Sequence, residues 1–310
     1  MPSGTAPANA MLCRQVLRHC QTVLLHSNAM LFRAYEPGPP LSDFIENFWL
    51  YDGYSFLHER ERIFPTGTFE LVFNLRDDEL RLYNERNSGG YSRYSGSLVS
   101  GPYNGFFVTD RAEEFSVMGV HFRPGGAFPF LGLSAYELAD THLDLATIWG
   151  RRAGEIREHL VSAPSARERF RFLENALRSR LHGPLEHHPA VSLALDGFCS
   201  DHSRAVVRKM AREAGLSDRR FIDVFRSEVG LNPKRFNRID RFQRVLEKVH
   251  RLPDPEWGQL AVEHGYFDQS HLIRDFLEFS GFSPADHLRR LKDLRDKGLH
   301  VKFNHLPVGK

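Results

Sequence analysis

Ala211-Arg-Glu-Ala-Gly215 returns 50 positions later as Ala261-Val-Glu-His-Gly265. In the first copy Gly215 is followed by Phe225, Gly230 and Pro233. In the second, Gly265 is followed by Phe276, Gly281 and Pro284, with one extra residue in the turn, where Tyr266-Phe267 stands against Leu216. Each unit reads as helix, glycine-bearing turn, capped second helix and a closing Gly-x-x-Pro. That is the layout of a helix-turn-helix, whose second helix lies in the DNA major groove. Two copies at a fixed separation predict a two-module DNA reader.

Outward from this repeat, the chain after Pro189 is helical throughout. The periodicity predicts helices over Val191–Phe198, Arg204–Ala214, Ser217-capped to Val229, Trp257–His264, Asp268–Ser280 and Pro284–Leu294. A long helix, Pro233–His250, carries Phe236, Ile239, Phe242, Val245, Leu246 and Val249 at i, i+3, i+4 spacing and ends at Leu252-Pro-Asp-Pro255. Before it, Leu31 to about Phe130 alternates in strand fashion. Ile45–Tyr51, Thr68–Leu75 and Phe115–Phe122 are rich in aromatic and β-branched residues and bounded by Gly, Pro, Asn and Asp; Asn87-Ser-Gly-Gly90 reads as a loop. Six to eight such strands predict a β-sandwich or barrel. Helices trail it over Ala135–Ala139, Leu143–Trp149, Ala153–Leu160 and Arg167–Leu181.

The expected fold is α+β in two domains: a cupin-like N-terminal β-barrel or sandwich with trailing helices, and an all-α double helix-turn-helix. The divisions fall at 1–29 (a disordered or loosely docked extension, with Met30 an alternative start), 30–183 (sensing or dimerising domain), 184–190 (linker), 191–296 (DNA-binding domain) and 297–310 (a loose tail).

Composition permits this. The 310 residues suffice for two cores, and 41% hydrophobic with 26% charged residues is ordinary for a globular chain. No stretch approaches the roughly 18 apolar residues that span a bilayer, so a cytoplasmic, nucleoid-associated protein is expected. Cys13, Cys20 and Cys199 show no metal spacing and read as reduced thiols. Net charge is only +2, and 191–295 holds 19 Lys/Arg against 16 Asp/Glu. The asymmetry is local: Lys234 to Arg251 has seven basic and two acidic residues, a stripe suited to phosphate or, equally, to a solvated helix face.

A helical wheel places Phe221, Val224, Phe225 and Glu228 inward on the first putative reading helix, with Arg219, Ile222, Asp223 and Arg226 outward. On the second, Leu272 and Phe276 are inward; Ser270, Ile273, Arg274 and Leu277 are outward, with Gln269 at the helix start. Arg219, Arg226 and Arg274 suit guanine, Gln269 suits adenine, and Ile273 could meet a thymine methyl; Ile222, Asp223 and Ser270 complete the base-contact candidates. Arg204, Arg208, Lys209, Arg220, Lys234, Arg235, Arg238 and Arg241 are the phosphate candidates. Asp223 is repelled by phosphate unless it accepts from cytosine or pins an arginine.

Leu216-Ser-Asp-Arg-Arg-Phe-Ile-Asp-Val-Phe-Arg-Ser-Glu-Val-Gly-Leu-Asn-Pro-Lys-Arg-Phe236 and Gly265-Tyr-Phe-Asp-Gln-Ser-His-Leu-Ile-Arg-Asp-Phe-Leu-Glu-Phe-Ser-Gly-Phe-Ser-Pro284 resemble the two halves of an AraC/XylS-type DNA-binding domain. The resemblance covers about 105 residues, and Gly-aromatic-aromatic-Asp-Gln-Ser-His is its most specific run. Asp223 stands where the family usually has Arg; Arg274 keeps the corresponding Arg. Pro40–Trp49, Ile63–Asn74 and Gly119–Ala127 resemble a β-rich sensor domain found ahead of some such modules. The resemblance implies a transcription regulator, activator or repressor, with double-stranded DNA as partner. It further implies a small-molecule effector or homodimer at the N-terminal domain, contact with RNA polymerase, and no cofactor.

Elsewhere the signals are weaker. His58-Glu59 and His121 are the only metal-suggestive groups, and a site needs three or four convergent ligands. Arg123-Pro-Gly-Gly126 reads as a turn closing a strand, with an anion nest as the alternative. Pro65-Thr-Gly67 reads as a tight turn, Glu70 as facing a barrel lumen, and His187-His188 as linker. Two other function classes stay open: a cupin-type enzyme domain carrying a DNA-targeting module, and a helical protein-interaction module, which salt dependence would separate from a DNA binder.

Overall fold

Successive side chains along a strand point to opposite faces, and this alternation decides which residues of the larger sheet face its helices. The computed structural model describes residues 30–54, 60–83, 90–110, 114–200, 206–297 and 304–308. Its strands are β1 (Met30–Tyr35), β2 (Ile45–Tyr54), β3 (Arg60–Ile63), β4 (Glu70–Asn74), β5 (Glu79–Tyr83), β6 (Tyr91–Ser95), β7 (Ser97–Ser100), β8 (Phe107–Asp110), β9 (Glu114–Phe122), β10 (His142–Asp144) and β11 (His305–Val308). They form two antiparallel sheets, ordered β1-β2-β9-β4-β7-β10 and β11-β3-β8-β5-β6.

On the larger sheet Phe48, Leu50, Leu71, Phe73, Val99, Met118, Val120 and Phe122 are fully or almost fully buried. They pack under α1 (Phe128–Leu131), α2 (Leu145–Trp149), α3 (Arg151–Ser162) and α4 (Ala166–Arg178), in one core with Phe130, Leu131, Trp149, Ile156, Leu160, Phe170 and Leu173. The intervening residues Trp49, Glu70, Val72, His121 and His142 occupy the opposite face, because side chains alternate along a strand. There His142 meets Tyr94 and Phe107 of the second sheet at 6.0 and 4.6 Å between ring centroids. Burial drives the His142 imidazole down to about pH 3 in its titration.

The helical domain comprises α5 (Pro189–Ser200), α6 (Val206–Glu213), α7 (Asp218–Val229), α8 (Pro233–Arg251), α9 (Trp257–Glu263), α10 (Gln269–Ser280) and α11 (Pro284–Asp296). Its core is aromatic: Phe198, Phe221, Phe225, Phe236, Phe242, Phe276 and Phe279 pack around α8. Phe64, from the end of β3, enters this core against Phe242 and His287. The β-domain therefore shares a hydrophobic core with the DNA-binding domain.

Two expectations are revised. The tail expected to be loose over 297–310 contains β11, which pairs with β3 and buries Leu306 completely; it covers what would otherwise be the edge of β3 and places Leu306 in the core of the helical domain. Ala135–Leu138 is one 3-10 turn rather than an α-helix. The Arg123–Gly126 segment is a turn packed against the domain junction: Gly126 N–H donates to Arg123 O, and a Cβ on Gly126 would lie 1.9 Å from Phe44 O. The extension 1–29, His58-Glu59, Asn87–Gly89 and Arg204 lie outside the described residues.

Candidate nucleic-acid interface

Each helix-turn-helix unit is set by its caps. Ser217 accepts from the Arg220 N–H to open α7, Asn232 from Arg235 N–H to open α8, and Asp268 from His271 N–H to open α10. Replacing such a cap by Ala typically costs about 1 kcal/mol. Gly230 (φ 90°) and Gly281 (φ 75°) close α7 and α10 in the left-handed region, where a glycine carries no Cβ strain.

On α7 the inward face is Phe221, Phe225, Glu228 and Val229, all buried. Outward, Arg219, Arg220 and Asp223 are exposed, while Ile222 and Arg226 are half-buried. On α10 His271, Leu272, Asp275, Phe276 and Phe279 are buried. Gln269, Ser270 and Arg274 are exposed and Ile273 is half-buried. Two exposed polar faces thus ride on two aromatic undersides. Arg208, Lys209 and Lys234 are also exposed.

The basic stripe on α8 divides. Lys234 is exposed, but Arg241 is 3% exposed and its guanidinium lies over the Tyr266 ring. Arg241 donates to Gly265 O at 3.1 Å, in the turn of the second unit. Asp275, itself 1% exposed, accepts from Arg238 at 2.7 Å and faces Arg241 at 3.6 Å. Glu278 pairs with both Arg235 and Arg238, and these arginines hold its carboxyl below the usual range against the opposing pull of burial. The phosphate role expected of Arg241 is corrected: the guanidinium is buried and braces α10 on α8. Arg238 and Arg235 are drawn into the same network. The i, i+3 spacing that made these residues look like one solvated stripe also points them at the groove filled by α10.

Sequence reasoning missed the contacts between the domains. Arg226 lies over the Tyr136 ring, its guanidinium carbon 3.6 Å from the centroid. Arg235 donates from Nε to Asn104 Oδ1 at 2.7 Å, and Asn104 N–H donates to Asp140 Oδ1 at 2.6 Å. Arg62 lies over Phe106 and Phe282 and donates to Ser280 O at 3.0 Å, at the end of α10. In the linker, His187 stacks on Phe44 and pairs with Glu228 of α7, whose other oxygen accepts from His188 N–H at 3.0 Å. The turn at Gly67 packs on Phe236 of α8, and Gln243 donates to Pro65 O. The only signal for any of this was the inward position of Glu228, a carboxylate that needed a partner.

On the face of the larger sheet opposite its helices, His121 faces Glu70 through Nδ1 at 2.9 Å and Glu46 through Nε2 at 3.7 Å. The two carboxylates approach opposite ring nitrogens, so they share no common centre. Among the described residues no group of three or more His, Cys, Asp or Glu converges as a metal site. No helix among them is long and apolar enough to cross a membrane.

Residues 210–290 match a family model described as a helix-turn-helix domain, spanning both units. The chain carries a helix-turn-helix domain of this family. It is a DNA-binding transcription regulator, with a β-rich N-terminal domain that matches, over residues 33–144, a family described as a domain of unknown function, DUF6597. The search of curated proteins returned no match. Among solved structures the chain is similar to ToxT from Vibrio cholerae O395, at 10% identity over 78% of this chain and 97% of that one, with a TM-score of 0.43. It is also similar to unsaturated fatty acid-bound ToxT from Vibrio cholerae strain SCE256, at 10% identity over 84% and 95%, with a TM-score of 0.40.

Proposed function

We propose that α7 and α10 read successive major-groove faces of one duplex, about one helical turn or 34 Å apart, while α8 sets their separation. The observation that carries this reading is the matched construction of the two helices, each with an exposed polar face above buried phenylalanines. Recognition helices contact bases chiefly through their N-terminal residues. That assigns Gln269, Ser270, Arg274 and the edge of Ile273 to bases in the second unit, and Arg219, Asp223 and the edge of Ile222 in the first. Arg208, Lys209, Arg220 and Lys234 neutralise flanking phosphates.

The N-terminal domain is the sensing or dimerising part. Its support is the half-buried polar trio Glu46, Glu70 and His121 on the face opposite the helical layer, a place where a small polar effector finds donors and acceptors at low desolvation cost. A homodimer, contact with RNA polymerase and residence at the nucleoid complete the proposal for a regulator of this type.

Selection of bound fragments from a random duplex pool tests the reading. Enrichment of a motif with two conserved blocks one turn apart is expected. Retention without enrichment, or binding indifferent to salt, would refute it, since phosphate contacts make log K fall with log salt.

A further inference from the structure

Arg226 occupies the outward face of α7 one turn beyond Asp223, where a guanidinium could reach a guanine edge. It is instead held by the β-domain. Its guanidinium carbon sits 3.6 Å from the Tyr136 ring centroid, where the negative face of the ring attracts the cation. While its guanidinium rests over Tyr136, Arg226 is held against the β-domain instead of extending from the α7 face toward a groove.

The platform beneath this contact is built. Gly101 N–H donates to Thr141 O and Asp140 N–H to Pro102 O, which ties segment 101–104 to segment 138–141. Asp140 adopts φ 55°, a left-handed conformation that a non-glycine residue holds only when its surroundings fix it. Both its carboxylate oxygens accept from Asn104, and Asn104 in turn accepts from Arg235. The cap of α7 rests on the same platform: a Cβ on Gly230 would lie 2.7 Å from Pro102 Cγ and 3.1 Å from Ala135 O. One surface of the β-domain therefore contacts two cations of the DNA-binding domain, Arg226 and Arg235, the second of which is also paired with Glu278 of α10.

We infer that Tyr136 is a specificity-determining residue acting through Arg226: while the domains are docked it withholds Arg226 from the bases, and undocking adds one read base pair to the first unit. The inference rests on the assignment of α7 as a reading helix. In the docked state the first unit reads through Arg219, Asp223 and the edge of Ile222; in the undocked state Arg226 joins them, while Arg235 stays paired with Glu278 of its own domain. Any ligand or partner that binds the undocked state more tightly would lengthen the sequence read, in proportion to its differential affinity.

The test compares the motifs that full-length wild type and Tyr136→Leu select from a random duplex pool. Tyr136 is 51% exposed, so the replacement leaves the core intact, and a thermal melt verifies that. Tyr136→Leu should specify one further base pair beside the first block and bind the selected duplex about fivefold more tightly, a factor equivalent to about 1 kcal/mol. Tyr136→Leu/Arg226→Ala should lose both gains. Asn104→Ala, which removes the bridge between Arg235 and Asp140 and leaves Arg226 untouched, should shift the selected motif in the same direction to a smaller extent. Unchanged motif and affinity in Tyr136→Leu would overturn the inference, as would gains that survive Arg226→Ala. If Arg274→Ala relaxes one base position but Tyr136→Leu changes nothing, only this inference fails; if wild type shows no selectivity at all, the two-helix reading fails first.

Discussion

Asp275 of the second reading helix sits 1% exposed between Arg238 and Arg241 of the connecting helix, at 2.7 and 3.6 Å. The pair fixes how α10 is rotated on α8, because a buried carboxylate has one orientation that satisfies both guanidinium groups. Removing one member of a buried ion pair leaves the other charge uncompensated, at a cost of about 3–5 kcal/mol. Asp275→Ala should therefore lower the urea midpoint of unfolding with little change in slope, and should weaken DNA binding even though Asp275 touches no base. Asp275→Asn, which keeps the shape and an acceptor, should lose less.

Arg274 stands one residue away and is exposed, with only a 3.4 Å contact from its Nε to Ser270 O. Arg274→Ala should leave stability within about 0.5 kcal/mol of wild type, as denaturant unfolding would show. It should cost about 1–3 kcal/mol at the selected duplex and relax choice at one base position. Competition binding against single-base variants measures this directly; equal loss on all duplexes would remove Arg274 from the base-reading set.

Lys234→Ala tests the electrostatic part. Lys234 opens α8 and is exposed, so its loss should weaken all duplexes alike and reduce the slope of log K against log salt by about one. Arg241→Ala should act differently. Its guanidinium is buried over Tyr266, so unfolding curves should register the change more strongly than salt slopes do.

Histidines in the helical core predict the acid limit of stability. His287 is fully buried against Phe64, Phe276 and His250, and burial pushes it down to about 3; burial also brings His250 to about 4, with Arg295 adding to the effect. Both start near 6.5 in the unfolded chain. The folded state thus binds fewer protons than the unfolded state between about 6.5 and 4, and stability rises with pH across that window. It should be full above 6.5 and fall as the pH drops through it. Arg290, Arg295 and the neighbouring histidine surround the pair, and all disfavour protonation. Thermal melts from pH 7 to 4 should show a decline that His287→Gln makes shallower.

How much of this was legible follows from the kind of signal each part sends. The capping residues Ser217, Asn232 and Asp268, the closing glycines Gly230 and Gly281, and the phenylalanine undersides are local, so periodicity and cap chemistry reveal them. The split of the α8 stripe was hidden, because Lys234 and Arg241 differ only in which neighbour occupies the groove beside them. Tyr136 with Arg226, Asn104 with Arg235 and Arg62 with Ser280 join residues far apart in the chain, and nothing in local pattern marks such a contact. The β11 strand was hidden for the same reason: its partner β3 lies more than 200 residues earlier. Glu228 was the one exception, a carboxylate on a buried face whose need for a partner could be read and whose partner, His187, could not.

The central claim is that one chain reads a duplex through two helices held at a fixed spacing. It is tested most directly by hydroxyl-radical footprinting of the full-length protein on its selected duplex, with Arg219→Ala and Arg274→Ala alongside. Two protected blocks about 34 Å apart are expected, the first weakened by Arg219→Ala and the second by Arg274→Ala. A single block, or two blocks that respond identically to both substitutions, would contradict the account.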